Sequence, residues 1–432
     1  MVPLEIVTPG KVRKLQRTLY QKATGSQTWR AWSLYADLCR LDVLHQAAEQ
    51  VVRNKGSAGI DGMSIEAIKP KGARQIFVEQ LRDELLNKCY TVSSVLRVSI
   101  PKANGKRRHL GIPTVKDRVV QTALRLLLEP IFEADMHQHS YGYRPKKTAH
   151  DALDSIKDAL FAGNTEVIDA DLSSYFDNIP HNLLIRCIKR RVSDGSILQL
   201  IRDFLKAPVY EGRESKRNER GTPQGGVISP LLANIYLNDL DHQVNGVAGG
   251  GARMIRYADD LVILCRKGQA GKLLQRLEVY MGKKGLTLNE NKTRLIDFTK
   301  GGFCFLGFQF SRRRSVRTHK WYPHVEPSCE ARKRLRDSIR RELNHWTRWK
   351  SSTVAVKRVN SIARGWSNYF HYGQCTATFH QQNLWLFQRY RDWLWKKHKR
   401  KNSRKTHFNY ERVHGLYRLY ELPLASPSSY DQ

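Results

Sequence analysis

Apolar residues recur at helical spacing over 29–53, where Trp32, Tyr35, Leu38, Leu41 and Leu44 share one face and an Asn54/Gly56 breaker ends the run. The same period over 117–134 predicts a second amphipathic helix, with Val119, Val120, Ala123, Leu126, Leu127 and Ile131 on one side. Short β-prone runs of strand length interrupt the helices: EVIDADL (166–172), RMIRYA (253–258) and LVILC (261–265). The turn-rich stretches PKANGK (101–106) and NGVAGGG (245–251) read as loops. From about residue 327 the pattern is helical and basic, with little strand signal. Helices with a small antiparallel sheet predict an α+β catalytic core.

Charge changes this picture. The 432 residues hold 74 Lys and Arg against 40 acidic residues, a formal net charge of +34. The isoelectric point is near 10.1. Such a chain is expected to bind a polyanion, and to bind it less tightly as salt rises. The excess is uneven: beyond Arg312 basic residues far outnumber acidic ones, which marks a separate binding surface. No apolar run is long enough for a membrane span and no signal-peptide pattern is present, so no membrane partner is expected. The seven cysteines (39, 89, 187, 265, 304, 329 and 375) include no CxxC pair, which argues against a zinc ribbon or a disulfide framework. Isolated thiols fit a reducing cytoplasm.

Against this positive background a few aspartates stand out. Asp259 and Asp260 fall between two β-prone runs in RMIRYADDLVILC, as at the tip of a hairpin. Period-2 alternation places Asp169 and Asp171 on one face of the VIDADL strand. A plain turn and a salt-bridged strand would account for either motif alone. Together, three carboxylates from two strands suit two-metal phosphoryl transfer, because magnesium prefers oxygen ligands.

With these blocks in view, the chain resembles the group II intron-encoded reverse transcriptases. YADD (257–260) and DLSSYF (171–176) look like that family's palm, and RGTPQGGVISPLLANIYLNDLD (220–241) is close to its form of the adjoining segment. NKGSAGIDG (54–62), IPKANGKRRHLGIPTVKDRVVQ (100–121), SYGYRPKKTAHDAL (140–153), LTLNENKT (286–293) and FLGFQF (305–310) follow in the family's order. The likeness covers roughly residues 45–375.

The resemblance implies a right-hand polymerase fold. Residues 1–45 would be an N-terminal extension, 46–165 the fingers with part of the palm, 166–315 the palm, and 316–425 a helical basic thumb/maturase region and tail. It implies that Asp171, Asp259 and Asp260 hold two Mg²⁺ ions, with Mn²⁺ as a possible substitute. Asp169 is left to a structural role. Phe176 matches the aromatic gate under the incoming sugar, with Tyr175 as core. Lys102 and Arg108 flank an Asn-Gly turn and would grip the triphosphate as point charge and fork, with Arg107 a competitor for Arg108. Gln224 and Lys292 are expected near the dNTP. Arg144 is expected on the template. Ser229 and Pro230 are expected to start a helix.

In the C-terminal third, PSCEARKRLRDSIRRELNHWTRWK (327–350) reads as one basic helical stretch suited to a thumb. VNSIARGWSNYFHYG (359–373) looks like the maturase region, with Trp366 in its core rather than on RNA. Lys396, Lys397 and Arg400, in the aromatic and basic run 384–405, are expected to face structured RNA. The implied partners are intron RNA, an RNA template with its DNA primer, target DNA and dNTPs. Many relatives carry a Cys/His-rich endonuclease, which these 432 residues are expected to lack. The readings in view are a reverse transcriptase and maturase, an RNA-binding scaffold on a polymerase core, and a reverse transcriptase put to another use. The basic KVRKLQR near the N-terminus is open between an RNA-binding extension and an ordinary helix.

Overall fold

In the computed structural model, which describes residues 10–101, 107–211, 214–216, 218–223, 225–246, 251–398 and 407–425, the chain divides into two compact units. The larger comprises 4–156 and 168–295, and the smaller mainly 157–167 and 296–432.

The larger unit opens with helix α1 (Gly10–Gly25), which buries Val12, Leu19 and Ala23. The Gln16 amide of α1 donates to the Leu126 carbonyl at 3.0 Å, so KVRKLQR belongs to a packed helix. The single helix expected over 29–53 is instead two, α2 (Leu34–Leu38) and α3 (Leu41–Arg53). Two causes are visible. Ala31 is held in a bridge to Val192, which keeps the chain extended before α2 and leaves Trp32 78% exposed. Arg40 has extended backbone, with its guanidinium on Asp42 at 2.8 Å. Within α3, Val43, Leu44, Ala47, Ala48 and Val51 form the buried stripe.

Helix α4 (Lys71–Leu86) precedes a hairpin of β1 (Val95–Pro101) and β2 (Arg107–Ile112), in register from Leu96↔Ile112 to Pro101↔Arg107. Helix α5 (Val115–Glu133) follows, capped by Thr114, whose hydroxyl accepts from the Asp117 amide at 3.1 Å. Expected to be one-sided, α5 is buried nearly all round: Leu124 and Leu128 are as inaccessible as Val119 and Leu127. It is the central helix of the core, and each such side chain contributes about 1.5–3 kcal/mol by leaving water.

Next come α6 (Ala149–Phe161), β3 (Glu166–Asp171), α7 (Tyr175–Asn178), α8 (His181–Ile188) and α9 (Gly195–Lys206). Asp194 caps α9 by accepting from Ser196 and Ile197, and also takes the Tyr35 amide at 2.8 Å. Short strands β4 (Val209–Glu211) and β5 (Glu214–Lys216) complete a sheet of order β2-β1-β4-β5. Helix α10 (Ser229–Asn245) begins at Ser229 itself, whose hydroxyl donates to the Pro223 carbonyl rather than capping, while Pro230 occupies the first turn as expected. The remaining elements are β6 (Arg253–Tyr257), β7 (Asp260–Cys265), α11 (Ala270–Lys283) and β8 (Arg294–Asp297). They build the second sheet, β6-β7-β3-β8.

The smaller unit contains a three-stranded sheet that the hydrophobic pattern did not announce: β9 (Phe303–Phe305), β10 (Phe308–Arg314) and β11 (Trp321–Pro327), in order β11-β10-β9. Leu306 and Gly307, both at positive φ (49° and 83°), make the two-residue turn between the first two strands. Helix α12 (Cys329–Glu342) is capped by Ser328 and stops well short of 350, which corrects the single helix expected there. Helices α13 (Ser352–Phe370) and α14 (Thr376–His398) follow. Trp366 packs on Phe370 and Phe379 and donates its indole N–H to the Ala331 carbonyl at 3.2 Å, a core position as expected. Among the described residues no helix is long and apolar enough to cross a membrane, and all seven cysteines are free.

Candidate active site

β6 and β7 meet at Tyr257↔Asp260, so Ala258 and Asp259 form the two-residue turn and Asp260 opens the second strand. Ala258 has φ 61°, a conformation usually given to glycine at the first position of such a turn and one that costs alanine about 1 kcal/mol. The turn is therefore held from outside. Arg256, 0% exposed, donates through one Nη to the Ala258 carbonyl (3.0 Å) and to Asn234 Oδ1 (2.8 Å). Its other Nη donates to Ser140 Oγ (2.8 Å), and its Nε donates to Asp241 (2.9 Å). Asn234 in turn donates to the Gly142 carbonyl at 2.7 Å. Gly142 lies so close that a Cβ there would stand 2.3 Å from the Ala258 nitrogen.

Asp171 ends β3, the neighbour of β7. The segment after α11 is laced to it: the Asn289 amide donates to the Asp171 carbonyl (2.8 Å) and Ser173 N donates to the Thr287 carbonyl (3.0 Å). This brings the Lys292 ammonium to 3.1 and 2.9 Å from the two Asp171 carboxylate oxygens, with Asn289 Nδ2 at 3.2 Å. Asp171, Asp259, Phe176, Lys292 and Arg107 line one cleft of about 790 Å³ within the larger unit.

Electrostatics single out the same place. The Asp260 carboxyl is pushed up to about 6 by burial and by Asp259, Asp171 and Asp169. Asp169 is likewise pushed up to about 6 by burial and by Asp171, with Arg294 opposing. Since Asp260 reaches the surface of its strand, the repulsion among carboxylates is the part that a bound divalent cation would relieve. Oxygen donors from two adjacent strands suit such a cation in kind. In the arrangement described, however, Asp171 is engaged by Lys292, and no three acidic, His or Cys side chains among the described residues are gathered closely enough to hold a metal.

Arg220, Thr222 and Pro223 line the cleft with Phe176. Gly221 N donates to the Ile179 carbonyl and Thr222 N to the Phe176 carbonyl, at 2.8 and 2.7 Å. Gly225, at φ 113°, lies where a Cβ would be 2.2 Å from the Gly111 oxygen of β2, so only glycine lets this turn meet the strand. Phe176 is buried but borders the cleft, while Tyr175 donates its hydroxyl to the Ala233 carbonyl at 2.6 Å, as a core residue does.

Other expected site residues are placed differently. Lys102, Gln224, Arg400 and the Arg108 side chain lie outside the described residues. Arg107 does line the cleft. Arg144, expected on the template, is held by intramolecular partners. Its side chain is 6% exposed, and Glu133 (2.6–3.2 Å) and the His137 and Ser140 carbonyls (2.6 Å each) take four of its five N–H groups. The Lys397 ammonium donates to the Arg348 and Lys350 carbonyls, both at 2.8 Å, which uses two of its three N–H groups. Lys396 is exposed. Sequence reasoning passed over Arg97, His109 and Arg220 in the cleft, and the buried Arg256 beneath it. Alternation along β2 (Arg107, His109, Gly111) could have found His109, and a cation inside the strand RMIRY, beyond the one at its start, could have found Arg256.

Comparison with known proteins agrees with this geometry. A family model described as reverse transcriptase (RNA-dependent DNA polymerase) matches residues 100–310, and one described as group II intron, maturase-specific domain, matches residues 331–410. The chain belongs to the group II intron-encoded reverse transcriptase/maturase family. Protein YkfC of Escherichia coli is 34% identical over 343 residues, covering 70% of this chain and 89% of that protein. The group II intron-encoded protein LtrA of Lactococcus lactis is 40% identical over 216 residues, 48% of this chain, but the match spans only 34% of LtrA. The mitochondrial nuclear intron maturase 2 of Arabidopsis thaliana is 30% identical over 166 residues, 29% of this chain and 22% of that protein. The enzyme class of this reverse transcriptase is RNA-directed DNA polymerase, a family that typically uses divalent metal ions. Its reverse transcriptase match contains the whole cleft-bearing hairpin, and its maturase match begins inside α12.

Proposed function

We propose that the chain copies RNA into DNA from a primer in the 790 Å³ cleft, and that it binds its intron RNA to promote splicing and target-primed reverse transcription. The observation that carries this reading is the meeting of Asp171 and Asp259 with Phe176, Lys292 and Arg107 in one cavity. Asp171, Asp259 and Asp260 would hold two Mg²⁺ ions, for which Mn²⁺ could substitute, once Lys292 leaves Asp171 and the three carboxylates draw together. Bound there, such ions would activate the primer 3′-hydroxyl and neutralise the leaving pyrophosphate. Phe176 sits against the sugar and excludes a ribose 2′-hydroxyl. Arg107, together with Lys102 and Arg108, holds the triphosphate, and Gln224 borders the nucleotide. Lys292 balances Asp171 and would be free for the nucleotide or primer phosphate if cations took its place.

In this reading residues 46–165 serve as fingers with part of the palm, 166–315 as palm, and 316–425 as thumb and maturase region. The basic α12 and the exposed Lys396 support RNA binding by the last of these. Primer extension on an RNA template with dNTPs and Mg²⁺, comparing wild type with Asp259→Ala, tests the proposal. Synthesis lost in the variant supports it. No synthesis by either protein, with RNA binding intact, would leave a scaffold that binds intron RNA without polymerising.

A further inference from the structure

Between α12 and α13 the chain makes a short 3₁₀ turn, His345–Thr347, that is unusually well built for an exposed loop. Asn344 and Thr347 cap each other: Thr347 N donates to Asn344 Oδ1 (3.0 Å), and Asn344 N donates to Thr347 Oγ1 (3.1 Å). Helix α14 fastens it from below. Trp393 Nε1 donates to Thr347 Oγ1 at 3.3 Å, Arg389 donates to the Leu343 carbonyl at 2.7 Å, and Lys397 holds the Arg348 and Lys350 carbonyls. On this fixed base Trp346 and Trp349 are each 80% exposed. Two indoles held in water by a rigid turn have been denied the burial that tryptophan normally finds.

The surroundings say what would cover them. The Arg389 guanidinium of α14 is held below its ordinary range by burial and by Arg340 of α12 and Arg348 of the turn, with Asp392 opposing. The Nε atoms of Arg348 and Arg389 are buried with no hydrogen-bond partner. Arg340 is paired with Asp337 (2.7 Å) and Arg389 holds the Leu343 carbonyl, yet the three guanidiniums leave a net positive patch beside two exposed aromatic faces, which matches a chain that alternates anionic groups with flat apolar rings. A membrane surface would suit the indoles, but it offers no reason for a capped, three-point-anchored turn. We propose that the 344–350 turn is a binding platform for unpaired RNA, with Trp346 and Trp349 stacking on bases and Arg340, Arg348 and Arg389 taking the phosphates between them. This assignment rests on the RNA-binding reading above and adds to it a specific site and a preference for single strands.

The test is fluorescence anisotropy of a labelled, unstructured oligouridylate across a salt series, using the full chain. Trp346→Ala and Trp349→Ala should each weaken binding by about fivefold or more at every salt concentration, since stacking is worth at least ~1 kcal/mol per base. The slope of log affinity against log salt should not change in these two variants, whereas Arg348→Gln should lower it by roughly one. Phe in place of either Trp should recover most of the affinity. Because both indoles are exposed, thermal midpoints should stay at the wild-type value. Unchanged affinity of both Ala variants, in a protein that binds the oligomer and extends primers, would overturn the platform and leave the polymerase reading standing. An equal loss on blunt duplex, or a loss only on anionic vesicles, would also overturn it. A wild-type protein that ignores the oligomer would remove both the platform and the RNA-binding reading.

Discussion

Arg256 and Asp241 form an ion pair in the core of the larger unit, with Nε 2.9 Å from Oδ1 and side-chain exposures of 0% and 1%. The same guanidinium reaches the carbonyl of Ala258, the strained residue of the YADD turn. Removing one member leaves the other charge buried and unpaired, so Arg256→Met should destabilise the fold by about 3–5 kcal/mol. Adding Asp241→Leu should return a large part of that loss. Urea denaturation of the two variants checks this, and a double variant no better than the single would contradict the pairing argument.

Gly142 leaves no room for a side chain against Ala258. Gly142→Ala should push the hairpin and lower primer-extension kcat by about tenfold or more, equivalent to ~1.4 kcal/mol in the barrier. The dNTP KM should move little, because the cations proposed to hold the nucleotide lie on other elements. A KM effect with kcat intact would place Gly142 in nucleotide binding instead.

Carboxylate repulsion around Asp260 predicts a response to divalent ions. Mg²⁺ should raise the thermal midpoint of the wild-type protein, with stabilisation approaching ~2.7 kcal/mol at a hundredfold excess over its Kd. Asp171→Asn and Asp259→Asn should each shrink that shift. A shift identical in all three proteins would locate the ion elsewhere.

The partners of Arg144 predict a structural role that can be told apart from a template contact. Arg144→Ala should cost about 3–5 kcal/mol by stranding Glu133, yet leave the salt dependence of template binding as it was. A reduced slope with normal stability would restore the template contact.

Phe176 borders the cleft while most of its ring packs inside. Phe176→Val should narrow the preference for dNTPs over rNTPs by tenfold or more, read as the ratio of kcat/KM values, since the proposed exclusion is steric. An unaltered ratio would make Phe176 a packing residue only.

Much of this was legible in the linear sequence because it depends on near neighbours. Two β-prone apolar runs in RMIRYADDLVILC predict the β6–β7 hairpin and put Asp259 at its turn, and the helical period marks α5. The order of the motif blocks identifies the family without any coordinates. What the sequence could not decide is which distant group each polar side chain meets. Arg144 and Arg107 look alike as free cations in a basic chain. Only the fold closes Glu133 and two carbonyls around the first and leaves the second facing the cleft. Lys292 finds Asp171 across 121 positions, and Ala31 is drawn out of a helical pattern by Val192 across an even longer separation. Local sequence sets periodicity, caps and turns through contacts a few residues apart. Burial and charge pairing are set by whichever segments the core brings together, and that information exists only in three dimensions.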